Sequence, residues 1–279
     1  MIKITADSTC DLSPDILQTF DISVIPLSII VGDKPFKDGQ DITPADLFRY
    51  VDVEGKECKT AAINIYEYQC RFAELAPKHE AVIHICISSE FSSCYQNASL
   101  AAQKFPNVYV VDSRNLSSGS GHLVYDGALM AREGIKAPEI YRALNSLASK
   151  VEASFVIDRL DYLSKGGRCS ALTAQGAKLL RLKPCIEVIE GKMTVGKKYR
   201  GSFEKCLVKY VRDRLNKRTD IDYSRVFITH SMCSRETVAL VKETILQHAD
   251  FQEIIETKAG CTISNHCGPN TLGILFKRK

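Results

Sequence analysis

Short apolar runs alternate with helix-period segments along the first half of the chain. IKITA, at 2–6, opens as a strand, and Ser13-Pro14 then supplies an N-cap followed by proline at the first helical position. ISVIPLSII, at 22–30, reads as the next strand, with Pro26 marking an edge or a bulge. Thr43-Pro44 repeats the cap-and-proline signal ahead of ADLFRYV, and NIYEYQCRFAEL has aromatic and aliphatic residues at helical spacing from Asn64 on. AVIHICI, at 81–87, is a strand. A serine-rich turn follows, then a helix from near Phe91 to about Phe105. NVYVVDS and HLVYDGALMAREG add one more strand and helix. Alternation of this kind predicts a mostly parallel sheet covered on both faces.

The pattern changes after the helix IYRALNSLASK at 140–150. SFVID is a strand, a short helix ends in KGGRCS, and PCIEVIEGKMTVGKKYRG reads as a hairpin turning at Glu190-Gly191. SFEKCLVKYVRDRL and ETVALVKETILQH are helices. RVFITHS, FQEIIE and TLGILFK are strands. The expected architecture is α/β in two domains. Residues 1–150 form an N-terminal, mostly parallel α/β sandwich, and residues 151–279 a C-terminal α+β domain with a mixed or antiparallel sheet.

Composition narrows the function classes. A chain of 279 residues is long enough for two domains. The net charge of +4 comes from scattered short runs such as VRDRLNKR, without the dense basic stripe of a nucleic-acid binder, so no nucleic-acid partner is expected. The eleven cysteines are dispersed and form no C-x-x-C pair, as in a reduced, cytoplasmic protein with buried thiols. No apolar run reaches the length of a membrane span, and MIKITADST enters a strand with no signal-peptide pattern.

Several chemical motifs fail on context. GKMTVGKK, at 191–198, approaches the phosphate-binding loop, but Lys198 replaces the magnesium-binding hydroxyl and the segment is a hairpin. Gly119 and Gly121 start a dinucleotide-like pattern that Val124 breaks. Cys261, His266 and Cys267 lack a fourth ligand and a common zinc spacing, so no metal is expected.

ISSEFSSCYQNA, at 87–98, is the segment with more polar chemistry than its local structure needs. It leaves the C-terminal end of a predicted parallel strand, where open α/β sheets bind ligands, and enters a helix whose N-terminus favours an anion. Ser89 or Ser92 can cap that helix, yet one cap does not use four hydroxyls. Thr60, before the helix near Asn64, and His266, between a strand and a Gly-Pro turn, are further groups that can converge on a carboxylate. The same residues allow a second reading, in which Cys94 or Ser92 is a nucleophile for acyl transfer or hydrolysis of a small amphiphile and His266 is its base.

The order and spacing of eight blocks resembles the DegV family, which includes the fatty-acid-binding subunits of bacterial fatty acid kinase. The blocks are TADSTCDL at 5–12, KDGQDIT at 37–43, Lys59-Thr60, ISSEFSSCYQNA, VVDS at 110–113, FVIDRLDYLSKGGRCS at 155–170, LKPCIEVIEGKMTVGKKYRG at 182–201 and SNHCGPNTLGI at 264–274. The resemblance implies a long-chain fatty acid such as palmitate in a tunnel between the domains. It implies a carboxylate held by Thr60, Ser92 and His266, with no catalytic residue and no cofactor in this chain. It also implies a separate ATP-dependent kinase partner that makes the acyl phosphate, with Arg168 and Arg200 near the phosphate, and at most transient membrane contact. Phe91-Ser92-Ser93-Cys94 stand where the family usually has leucine-serine-glycine-threonine, and Thr60-Ala61-Ala62-Ile63 where it often has threonine-serine-glutamine-proline. Ser92 and Thr60 are kept and their neighbours differ.

Overall fold

A computed structural model of the chain describes residues 1–169 and 182–279. Ser170, the last residue of the FVIDRLDYLSKGGRCS block, lies outside the described residues. In chain order the first half comprises β1 (Ile2–Asp7), α1 (Pro14–Thr19), β2 (Ser23–Ile25), β3 (Ser28–Val31), β4 (Lys34–Lys37), α2 (Pro44–Phe48), β5 (Cys58–Ala61), α3 (Ile65–Leu75), β6 (Ala81–Cys86), α4 (Cys94–Ala102), β7 (Val108–Asp112), α5 (Ser117–Arg132) and α6 (Ala137–Ala148). The second half comprises β8 (Val151–Ile157), α7 (Leu160–Gly166), β9 (Lys183–Ile189), β10 (Lys192–Tyr199), α8 (Phe203–Leu215), β11 (Ile221–Ser231), α9 (Arg235–His248), β12 (Glu253–Lys258), α10 (Cys261–Cys267) and β13 (Thr271–Arg278).

The chain is a mixed α/β protein. One sheet, β2-β1-β6-β7, is parallel throughout. A second, β10-β9-β8-β13-β11-β12, is antiparallel except for the β11–β12 pair. A small antiparallel sheet, β4-β3-β5, completes the set. Local signals act where expected. Ser13 caps α1 and Pro14 occupies its first turn, while Thr43 and Asp46 form a capping box on α2. Glu190 and Gly191 both have positive φ, 52° and 83°, as a two-residue type I′ turn between β9 and β10 requires.

The apolar run at 22–30 does not form one strand. It divides at Pro26-Leu27 into β2 and β3, which belong to different sheets. Pro26 has no N–H to donate, and the Leu27 N–H leaves the ladder to donate to Ser8 Oγ at 3.1 Å. The β4-β3-β5 sheet is a further departure, since KPFK and CKTA are four-residue, partly exposed segments with little periodicity to read.

Helix α5 joins the two large sheets. Its Leu123, Val124 and Ala128 share a buried cluster with Ile4 and Ile83 of the parallel sheet and with Phe227 and Leu275 of the mixed one. His122 Nε2 bonds the Leu275 carbonyl at 3.0 Å, and its ring meets Phe227 edge-on. Gly121, in the broken dinucleotide-like pattern, serves packing: a Cβ there would lie 2.7 Å from the Cys10 carbonyl oxygen. On the other face of the mixed sheet, Tyr210 of α8 is fully buried. Its hydroxyl accepts from the Ile274 N–H at 3.0 Å and donates to the Ser154 carbonyl at 2.6 Å. Tyr210→Phe leaves that strand N–H without a partner. The expected cost is about 1–3 kcal/mol, read as a lower urea midpoint with an unchanged slope; an unaltered midpoint would refute it.

Candidate functional site

A cavity of about 230 Å³ lies where the parallel sheet, the mixed sheet and α10 meet. Its apolar wall is built from Leu27, Ile87, Phe91, Leu116, Phe155 and Met193. The opposite wall follows strand alternation. Thr271, Gly273 and Leu275 of β13 face the cavity, while Leu272, Ile274 and Phe276 pack into the cluster beneath α8 and α9.

Thr60, Ser92 and His266 all line this one cavity, although 206 residues separate the first from the last. Thr60 sits in β5, ahead of α3, and His266 on α10, a helix between β12 and the Gly-Pro segment that the sequence pattern did not announce. Thr60 Oγ1 and His266 Nε2 are 2.9 Å apart. Ser92 precedes α4, which begins at Cys94, three residues later than the pattern predicts. Its Oγ accepts from the Cys94 N–H at 3.3 Å and lies 3.2 Å from Cys94 Sγ. Ser92 therefore accepts from the first N–H of the helix, one residue ahead of the N-cap Ser93, and also lines the cavity.

The other serines of the turn hold it in place. Ser88 Oγ donates to the Gly191 carbonyl at 2.9 Å, and Ser89 Oγ donates to Asp112 Oδ2 at 2.6 Å. Ser93 Oγ is 3.5 Å from Asn97 Nδ2. The start of the turn is set by Asp7, which accepts from the Ile87 N–H at 3.0 Å, from the Tyr68 hydroxyl at 2.6 Å and bonds His84 Nε2 at 3.1 Å. Asp7, His84 and Cys86 are the one cluster of metal-ligand type among the described residues, and Asp7 and His84 are already hydrogen-bonded.

Two distant aspartates position His266. Asp38 accepts from the Cys261 and Thr262 N–H groups at 2.8 and 3.1 Å, and Asp11 accepts from the Gly260 N–H at 2.8 Å. These are donors that a helix N-terminus cannot satisfy internally. Asp11 also accepts from Ser117 Oγ at 2.5 Å. Burial pushes the Asp11 carboxyl up to about 8, against the lowering by Ser117 and the Gly260 N–H. At the other end of α10 the His266 ring packs on Gly166 of α7, where any Cβ would fall on Nδ1. That Nδ1 is shielded and has no partner among the described residues. Burial, reinforced by the Arg168 charge, lowers the His266 pKa to about 4, so the imidazole is neutral at physiological pH.

Arg168 lines the cavity, is exposed, and donates from Nη1 to the Gly166 carbonyl at 2.9 Å. Arg200, just after β10, is exposed and does not line the cavity. Cys94 is fully buried and its thiol is pushed up to about 12 by burial. Ser92 Oγ engages Cys94, and His266 Nε2 engages Thr60, so neither candidate nucleophile is hydrogen-bonded to His266. Asp11, Asp38 and Gly166 were not legible as site residues, because their roles depend on partners far away in sequence.

Comparison with known proteins places this geometry in context. The model of the DegV family, described as uncharacterised proteins, matches residues 1–279. A DegV domain-containing protein of Caldanaerobacter subterraneus is 31% identical over 100% of this chain and 99% of its own. The structure of a fatty-acid-binding DegV-family protein from Thermus thermophilus superposes with a TM-score of 0.89 at 27% identity, covering 100% of this chain and 99% of that one. A stearic-acid-binding protein from Eubacterium ventriosum gives 0.86 at 26% identity, with the same coverage.

Two outcomes follow from the way His266 is held. Asp38→Ala strands two helix N–H groups and is expected to cost about 1–3 kcal/mol, checked by urea denaturation; wild-type stability would show that α10 does not need the carboxylate. Because the His266 pKa falls from 6.5 to about 4 on folding, the unfolded chain binds the extra proton between those values. The His266 contribution to stability is full above pH 6.5 and is lost as the pH falls toward 4. Urea midpoints measured across that range should fall less steeply in His266→Gln than in wild type; equal slopes would mean that the folded ring is charged.

Proposed function

The chain belongs to the DegV family, and from that premise we propose that it binds a long-chain fatty acid in the cavity and presents the carboxylate to a separate ATP-dependent kinase. The observation that supports the reading is that Thr60, Ser92 and His266, distant in sequence, all line one largely apolar cavity. The solved structures of fatty-acid-binding and stearic-acid-binding relatives support it.

The energetics are favourable. Burying about fifteen methylenes of a palmitate is worth on the order of 12 kcal/mol gross, at roughly 0.8 each. Immobilising the chain offsets several kcal/mol of this, and an unpaired buried carboxylate would cancel the rest. Charge-assisted hydrogen bonds of about 1.5–3 kcal/mol each meet that need. The neutral imidazole has one N–H. With that proton on Nε2, the ring donates to Thr60 Oγ1 and the Thr60 hydroxyl proton is free to point at the carboxylate. The shielded Nδ1 is then an unpaired acceptor, which costs less than a stranded N–H. Hydroxyl donors hold the carboxylate without neutralising the oxygen that attacks phosphorus.

In this reading the chain acts in the cytoplasm without a resident cofactor, and touches membranes only transiently to exchange its ligand. ATP stays on the kinase. Arg168 at the mouth and Arg200 on the exposed surface face the kinase and balance phosphate charge. Mass spectrometry of denatured, freshly purified protein should release a long-chain fatty acid. Ser92→Ala should weaken palmitate binding about tenfold, the equivalent of one charge-assisted bond. A protein that purifies empty and has no affinity for palmitate or oleate would overturn the reading.

A further inference from the structure

The cavity carries a second set of polar groups besides the three that receive the carboxylate in the reading above. A neighbouring depression, whose cations Lys59, Lys165 and Arg168 are exposed, shares Thr60, Arg168 and His266 with it. The two spaces adjoin at that junction. Ser231, Thr262 and Thr271 line the cavity and not the depression, so they stand apart from the junction. Thr262 precedes His266 by four residues on α10, which places the two on one helix face about 6 Å apart along the axis.

Thr262 differs from the other two hydroxyls. Thr271 Oγ1 donates to the Cys267 carbonyl at 2.9 Å. Ser264 Oγ donates to the Ala259 carbonyl at 3.3 Å, so Ser231 Oγ supplies the proton of its 3.0 Å bond to Ser264. Ser231 and Thr271 therefore spend their protons on the protein and keep only lone pairs. Thr262 is 4% exposed, and its Oγ1 has no partner among the described residues. A threonine inside a helix returns its proton to the carbonyl four residues back. Four residues before Thr262 is Lys258, the last residue of β12, so no helical carbonyl stands ready. The N–H groups of Cys261 and Thr262 already go to Asp38, which leaves the side-chain hydroxyl as the unsatisfied group. A buried hydroxyl without a partner is costly. A plain methylene chain filling the cavity would seal this one from water and leave it unpaired.

We propose that the cavity takes a long-chain acid that bears a hydroxyl along its chain, and that Thr262 recognises that hydroxyl. The inference rests on the fatty-acid reading and names the class of acid. A chain hydroxyl accepts from Thr262 and still has a proton for a lone pair of Ser231 or Thr271. A keto oxygen can only accept, and a double bond does neither. Thr60 and Ser92 meet the carboxylate that every fatty acid has, whereas Thr262 meets a group that a plain acid lacks. A site with a buried group waiting for a hydroxyl discriminates against the analogue without one.

Competition binding at neutral pH tests this. The probes are palmitate, the 4-, 6- and 8-hydroxypalmitates, which carry the group about one helical turn from the carboxylate, and 16-hydroxypalmitate, which carries it at the tail. Wild type should bind the best of the first three hydroxy acids about fivefold more tightly than palmitate, the equivalent of one neutral hydrogen bond. Thr262→Val should bind palmitate more tightly than wild type does and should lose the preference, while Thr262→Ser, which keeps the hydroxyl, should retain it. The urea midpoint of Thr262→Val should be at or above that of wild type, because the hydroxyl has no protein partner to lose. The proposal is overturned if wild type shows no preference, if the preference survives in Thr262→Val, if it is confined to 16-hydroxypalmitate, or if the Thr262→Val midpoint drops. If neither palmitate nor any hydroxypalmitate binds, the fatty-acid reading itself fails. Palmitate binding with no preference for a hydroxyl removes this inference alone.

Discussion

Everything at the site depends on the N-terminus of α10, a seven-residue helix too short to be stable alone. Its first free N–H groups are taken by Asp38 and Asp11, aspartates from the opposite end of the chain. The Asp38 bonds are electrostatically apt, since a carboxylate at a helix N-terminus meets both the unpaired donors and the positive end of the dipole. It ties the small sheet and the loop after β1 to the segment that carries His266. Asp7 does the equivalent service for the serine turn through the Ile87 N–H. The acidic residues of TADSTCDL and KDGQDIT thus act by placing Ser92 and His266.

Burial then sorts the charges. Inside, the ring of His266 is kept neutral because desolvation penalises the imidazolium, and the Arg168 charge pushes the same way. Thr60 and Ser92 are uncharged by nature. The cations, Arg168, Lys59 and Lys165, stand on the exposed side of the same junction. A charge placed in the apolar cavity would need pairing to survive, whereas one at the rim stays hydrated. The molecule therefore carries a neutral, hydroxyl-bearing surface beside a cationic, wet one.

Much of this was legible in the chain before any coordinates. Parallel α/β alternation, the Ser13-Pro14 and Thr43-Pro44 starts, and the Glu190-Gly191 turn are local events in which a few neighbouring residues dictate φ, ψ or a cap. The serine turn was legible as a place with surplus hydroxyls. What escaped were features whose partners are remote. Pro26 announces a break, yet only the Leu27 N–H bonding Ser8 makes it a change of sheet. Likewise Gly166 looks like an ordinary helix end until the His266 ring is laid against it.

The sequence by itself determined most of the longer elements, the mixed α/β class and the identity of the polar groups, because periodicity, capping and turn chemistry act over a few residues. Only the tertiary structure decided that Thr60 and His266 bond across 206 residues, that Asp38 and Asp11 hold the helix between them, and that Ser88, Ser89 and Ser92 have three different partners. Those outcomes follow from which unpaired donors and acceptors the packing of the two large sheets brings within reach, and no short-range rule encodes that.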